Sequence, residues 1–301
     1  MMSTIERMPK VNGKLQANAP LGKKSHFGVG GAAEVLFEPL DMDDLVFFLR
    51  RVPKDIPVIP LGAMSNVLIR ESGIDGVVVI LGDWFKKVYV EDGVLEVGAG
   101  VPCSKLSTVA MDHELGGLEF LMGLPGTVGG AIKMNAGCFG SEISNVLIEC
   151  EGITTSGKVE WFKVKDIGAT YRHTEIADDC IITRAWFRGN AGVNYSIPKR
   201  TREFMEQRRS SQPLGVRTCG STFKNPEGLK AWQLIEKAGC RGLRVGGAQI
   251  SEKHCNFIVN TGDATANDVE DLGEKVIREV FEKTNVQLDW EIVKLGRRGN
   301  D

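Results

Sequence analysis

Helix-like and strand-like spacings of apolar residues alternate along most of the chain. The glycine cluster Gly28, Gly30 and Gly31 leads into an apolar, strand-like run over Ala33–Phe37. Met42–Pro53, MDDLVFFLRRVP, predicts an amphipathic helix ended by its proline. Ile56–Leu81 reads as a strand, a small-residue turn at Leu61–Asn66, and further β-branched runs. VYV and VLEV around Glu91-Asp92-Gly93 predict a hairpin, and Cys103–Glu114 a helix with Leu106, Val109 and Ala110 on its apolar side. Strand signals recur twice in Val146–Val164, around a turn, and once in Asp179–Gly189. Past the turn signal Gly-Asn-Ala-Gly the character changes. Ile197–Pro213 is a strongly basic helix with Pro198 near its start, and Ala231–Gly242 a helix that Gly239 closes. Asn267–Thr284 is a helix between short strands in Cys255–Asn260 and Asn285–Gly296. No internal repeat is evident.

Leu118–Glu142, LEFLMGLPGTVGGAIKMNAGCFGSE, breaks this alternation. After apolar Phe120, Leu121 and Met122 come Gly123, Gly126, Gly129 and Gly130, broken by Pro125 and Thr127, then Asn135 and Gly137. Such glycines predict positive φ and close approach to a ligand. A row of unblocked N–H groups there can hold an anion, usually phosphate. The alternative is a tight crossing of buried elements where only glycine fits, and spacing alone leaves both open. Gly62, Ala63, Ser65 and Asn66 also suit phosphate oxygens, although an ordinary strand-turn-strand explains them slightly better.

Composition narrows the class. The 301 residues, 42% hydrophobic, can bury a large core and predict about two domains. A net charge of -2 makes no case for nucleic acid or an anionic membrane. The charged start MMSTIERMPKVNGK lacks the apolar core of a signal peptide, so a soluble, cytoplasmic protein without membrane insertion is expected. Seven dispersed cysteines, without C-x-x-C, and four dispersed histidines predict reduced thiols and no protein-bound metal.

Several segments in order resemble one family. They are the Leu118–Glu142 stretch, PLGAMSNVLI, Tyr171-Arg172 in ATYRHTE, Cys219-Gly220-Ser221 with Phe223-Lys224-Asn225-Pro226, SEKHCNFIVN, and LDWEI with Glu291. Together they resemble the UDP-N-acetylenolpyruvoylglucosamine reductases, from about His26 to Glu291. Ala63-Met64 departs from the family's Gly-x-Gly-Ser-Asn core by lacking its second glycine. The short Asn190–Ile197 segment is similar to the shorter of the family's two subtypes. The resemblance implies an α+β fold: an FAD-binding region of the vanillyl-alcohol-oxidase (PCMH) type, then an α+β substrate-binding domain. The expected divisions are 1–80 and 81–192 for two FAD-binding subdomains and 193–301 for the substrate domain. FAD would be bound non-covalently by Leu61, Gly62, Ala63, Met64, Ser65, Asn66, Gly123, Pro125, Gly126, Thr127, Gly129, Gly130 and Asn135. NADPH would be the hydride-donating co-substrate, and the substrate a small sugar nucleotide.

The chemistry so implied has clear demands. Hydride arriving at the carbon β to a carboxylate leaves negative charge that must be stabilised and then protonated. Arg172 is assigned to the charge, Glu291 to the carboxylate region, and Ser221 to the α-carbon proton. Tyr171, Arg208, Lys224 and Asn225 are assigned to substrate, Arg208 for the diphosphate. Taken singly, each has a plain structural explanation, such as an ion-pair arginine, a turn serine or an exposed strand glutamate. Cys219, two residues from Ser221, could be a nucleophile, but no general base is identifiable beside it. Two rivals remain at this stage: a flavin oxidase of the same superfamily, and a non-catalytic flavin- or nucleotide-binding module. A monomer is favoured.

Overall fold

Two sets of strands organise the first half of the chain, as seen in a computed structural model that describes residues 2–190 and 196–298. The chain divides into two compact units, the first Met1–Ala17, Glu34–Ala63 and Gly76–Arg208, the second Asn18–Ala33, Met64–Asp75 and Arg209–Asp301.

In the first unit, a four-stranded sheet runs in the order Lys14–Ala19, Ala33–Glu38, Ile74–Ile80, Val58–Leu61, the last pair parallel. The predicted helix forms at Met42–Arg51, with the Asp41 carboxylate accepting the Asp44 N–H at 2.9 Å as N-cap. Its buried side chains Leu45, Phe48 and Leu49 meet Val35, Phe37 and Val77 of the sheet. A five-stranded sheet follows, ordered Val159–Lys163, Leu147–Ile153, Ile181–Arg188, Val94–Gly98, Val88–Glu91, with antiparallel neighbours. The helix Cys103–Asp112 contributes Leu106 and Ala110 to a core shared with Val97, Leu121, Ile132 and Phe187.

The second unit has a three-stranded sheet of Arg244–Val245, Ala248–Ile250 and Ile258–Asn260. It also has a parallel pair, Val67–Ile69 with Val293–Leu295. Its longest helix, Ala266–Thr284, starts in a Thr265/Asp268 capping box and stops at Asn285 in the left-handed region. Val269, Leu272 and Val276 of that helix share a core with Leu68, Phe223, Ile235 and Ile292.

Three expectations change. The first unit takes in most of both expected FAD subdomains, while Asn18–Ala33 and Met64–Asp75 belong with the C-terminal third. The pairing of Val67–Ile69 with Val293–Leu295 explains this, and no local pattern could signal a partner so far along the chain. The boundary expected near Gly192 lies outside the described residues; the change of unit falls between Arg208 and Arg209, inside the helix Ile197–Ser211. The expected glycine-rich loop contains a 3-10 turn, Glu119–Gly123, and a short helix, Val128–Lys133. Among the described residues no helix is long and apolar enough to cross a membrane, and no group of side chains could hold a metal ion.

Candidate active site

Gly62 and Thr127, one from each small-residue loop expected to hold a diphosphate, meet in the first unit. A Cβ built on Gly62 would stand 2.5 Å from Thr127 Oγ1, so only glycine lets the loops come this close. Gly123 lies against Cys138 and Phe139, where a Cβ would be 2.7 Å from the Phe139 ring. Smallness, not positive φ, is what these glycines supply: none of Gly62, Gly123, Gly126, Gly129 or Gly130 has φ above zero. The left-handed residue is Met64, at φ 53, where the family's second glycine would stand.

The row of free N–H groups is also shorter than expected. Those of Gly126, Val128 and Gly129 bond to Leu124, Val101 and Ala99 carbonyls at 2.9–3.0 Å. Thr127 and Gly130 donate no backbone bond among the described residues. Nearby, Arg208 donates through Nη1 to Gly123 O, while its buried Nε lacks a hydrogen-bond partner. Burial lowers the pKa of this guanidinium. Two N–H groups without a backbone acceptor, on a loop that Gly62 lets the other approach, suit a bound diphosphate, so these residues fit FAD.

Asn135 is a correction. Its side chain is wholly buried and committed within the protein, Nδ2 donating to Thr170 O at 3.0 Å and Oδ1 accepting from Ser144 N–H at 3.0 Å. It has no surface left for a flavin.

Arg172 occupies a tight turn, Thr170–His173, whose ends exchange backbone hydrogen bonds at 3.0 and 3.2 Å. Its φ of 56 is a left-handed conformation that a non-glycine residue holds at a cost, a feature that clusters at functional sites. The guanidinium donates to Gly137 O at 2.8 Å and lies 5.1 Å from the exposed Tyr171 ring. Arg172 and Arg208 both act on Cys138, whose thiol burial pushes up to about 11 against their opposite pull. Two cations predicted from separate segments thus converge on one strand end.

The basic helix presents a docked face at spacings of three and four residues. Ile197 is buried, Arg200 pairs with buried Glu119 at 3.0 Å, Phe204 stacks on Phe139 at 4.5 Å, and Arg208 reaches Gly123.

In the second unit, Ser221 and Glu291 are brought together. Ser221 pairs with Phe257, and Thr222 N–H donates to Asn256 O at 2.8 Å. On the other flank Glu291 N–H donates to Thr222 O and Lys224 N–H to Asp289 O, both at 2.8 Å. These bonds explain why the expected final strand forms only at Val293–Leu295. Asn66 Nδ2 donates to Glu291 O at 2.8 Å, so this predicted cofactor residue secures a predicted catalytic one. Ser221 is half-buried, and its hydroxyl has no hydrogen-bond partner among the described residues. Asn225 Oδ1 accepts from Ala231 N–H at 3.0 Å, capping the helix Ala231–Lys237.

Cys219 is structural. It is 3% exposed, and burial pushes its thiol up to about 12, far from a thiolate at neutral pH. Asn256 was not anticipated. Its carboxamide clamps buried Phe223, Oδ1 accepting the N–H at 3.0 Å and Nδ2 donating to the carbonyl at 2.8 Å. The only signal was its place in SEKHCNFIVN.

Comparisons with known proteins agree with this geometry. Residues 33–163 match the family model described as an FAD binding domain. Residues 212–295 match that of the UDP-N-acetylenolpyruvoylglucosamine reductase C-terminal domain. The chain is 49% identical over 294 residues to the UDP-N-acetylenolpyruvoylglucosamine reductase of Parvibaculum lavamentivorans, covering 98% of this chain and 95% of the relative. It is 47% identical to that of Sphingopyxis alaskensis, covering 98% and 99%. The crystal structure of the Thermus caldophilus reductase superposes with a TM-score of 0.83 at 33% identity, covering 94% of this chain and 100% of that one. With matches of this identity along nearly its whole length, the chain belongs to the UDP-N-acetylenolpyruvoylglucosamine reductase family.

Proposed function

We propose that this protein reduces the enolpyruvyl group of UDP-N-acetylglucosamine enolpyruvate to the lactyl ether of UDP-N-acetylmuramate, a step in peptidoglycan precursor synthesis. Bound FAD would supply the hydride chemistry, drawing on NADPH and reducing the carbon β to the substrate carboxylate. The rest falls to the chain. Gly62, Thr127, Gly130 and their neighbours hold the flavin diphosphate. Arg172 forks onto the substrate carboxylate and carries the charge that grows there as hydride arrives; its guanidinium cannot lose its proton. Glu291 lies at the same carboxylate and assists the enol form. Ser221 delivers its hydroxyl proton to the α carbon, a transfer that a nascent carbanion drives where water is excluded. Arg208 takes the nucleotide diphosphate, with Tyr171, Lys224 and Asn225 completing the substrate contacts.

The observation that supports this reading best is the Ser221 hydroxyl, without a hydrogen-bond partner among the described residues, on a segment bonded along both flanks and set beside Glu291. A hydroxyl so held is ready to donate to a ligand. The test is anaerobic stopped-flow. NADPH should bleach the oxidised flavin, and UDP-N-acetylglucosamine enolpyruvate should restore its absorbance in a second, separate phase. Reoxidation by oxygen but not by the enolpyruvyl substrate would overturn the reading.

A further inference from the structure

We infer that Asn135 is a positioning residue for Arg172, an inference that rests on the role given to Arg172 above. Asn135 terminates the helix Val128–Lys133 in the left-handed region at φ 43, with its N–H on Ile132 O at 3.0 Å and the Ala136 N–H on Ala131 O at 2.8 Å. That is the pattern by which a helix ends at a residue that is usually glycine. Glycine would close the helix with less strain. Asparagine adds a carboxamide, and here both of its ends are engaged, one on Thr170 O and the other on Ser144 N–H.

Thr170 is the first residue of the turn that carries Arg172. Two further bonds join the same two segments: Thr174 Oγ1 donates to Lys133 O at 2.9 Å, and Arg172 Nη2 to Gly137 O at 2.8 Å. Residues 170, 172 and 174 are therefore fastened in turn to 135, 137 and 133. The left-handed step at Asn135 sends the chain from the helix end to Gly137, so it also presents the carbonyl that orients the guanidinium. Arginine has many rotamers, and forked recognition of a carboxylate tolerates little misplacement. Asn135 confines Arg172 from both sides, through the backbone of its turn and through the acceptor for its head group.

The test compares half-reactions of the holoenzyme. Asn135→Gly keeps the helix ending, tolerates positive φ and removes only the carboxamide. It should retain FAD and be reduced by NADPH at the wild-type rate, while reoxidation by UDP-N-acetylglucosamine enolpyruvate slows about ten- to a hundredfold. Thr174→Val, which removes another fastening of the turn with little change of shape, should slow the same phase to a lesser degree. In an Arg172→Ala background, Asn135→Gly should add nothing further, because residues acting through one group are not additive. Loss of flavin from Asn135→Gly with normal turnover of the remaining holoenzyme would overturn the inference, as would equal slowing of both phases. So would wild-type substrate phases in both single variants while Arg172→Ala is slow. If Arg172→Ala itself reoxidises normally, the role of Arg172 falls and the inference falls with it.

Discussion

Arg172 and Ser221, each the reactive group proposed for its own unit, are held by different means. Arg172 stands in a left-handed turn joined to its support mainly by side-chain bonds, from Asn135, Thr174 and its own guanidinium. Ser221 starts an extended segment whose neighbours bond backbone to backbone with 256–258 on one flank and 289–292 on the other. The difference follows from what each group has to do. A long cation has to be aimed, and several side-chain bonds can aim it. A short hydroxyl has no reach, so the backbone beneath it has to be fixed.

Replacing each group tests this most directly. Ser221→Ala should keep FAD and its reduction by NADPH, and slow flavin reoxidation by the enolpyruvyl substrate about 10²–10⁴-fold, the range for a lost general acid. Reoxidation at the wild-type rate in deuterated water, with deuterium placed at the α carbon as usual, would show that another group donates. Arg172→Ala should slow the same phase about 10²–10³-fold and leave the NADPH phase intact. Equal slowing of both phases would make Arg172 a structural ion and erase the contrast.

Stability should separate the two regions as well. Asn256→Ala leaves the N–H and carbonyl of buried Phe223 unpaired, which should destabilise the protein by on the order of 3 kcal/mol in urea titration. A far smaller loss would mean that the flanking backbone bonds hold Ser221 without the clamp.

The smallest effect is expected from acid. Glu270 is buried, and hydrogen bonds from Arg70 hold its pKa below the usual carboxylate range, with Lys294 adding to the shift. A carboxyl depressed by folding stabilises the protein above its unfolded pKa, and that contribution is lost as pH falls through the folded value. Lys294 lies on the strand that follows Glu291. Acid should therefore raise hydrogen exchange around 289–295 before it does so at 133–137 or 170–174, where none of the fastenings described uses a carboxylate. Simultaneous opening of both regions would show that they are not independently braced.

Much of the fold was legible in the apolar pattern. The Met42–Arg51 helix, the hairpin at Val88–Gly98, the helix Cys103–Asp112 and the long helix Ala266–Thr284 stand where the spacing predicted them. Each is an element whose own residues carry its period, its breaker or its cap. The sequence also named the family, because six motifs in one order lie between His26 and Glu291.

Tertiary structure decided what local spacing cannot express. It gave Met64–Asp75 to the unit of the C-terminal third through a pairing more than two hundred residues apart. It decided between the two readings of the glycines of 123–130 in favour of close packing over positive φ, since whether a missing Cβ serves φ or proximity depends on what stands opposite. It bonded the Asn135 carboxamide to Thr170 and Ser144, and that of Asn256 to Phe223, because a carboxamide's partners come from segments distant in the chain. Residue type and order settle which chemistry is present; where each hydrogen bond ends depends on packing between segments, and that exists only in the folded chain.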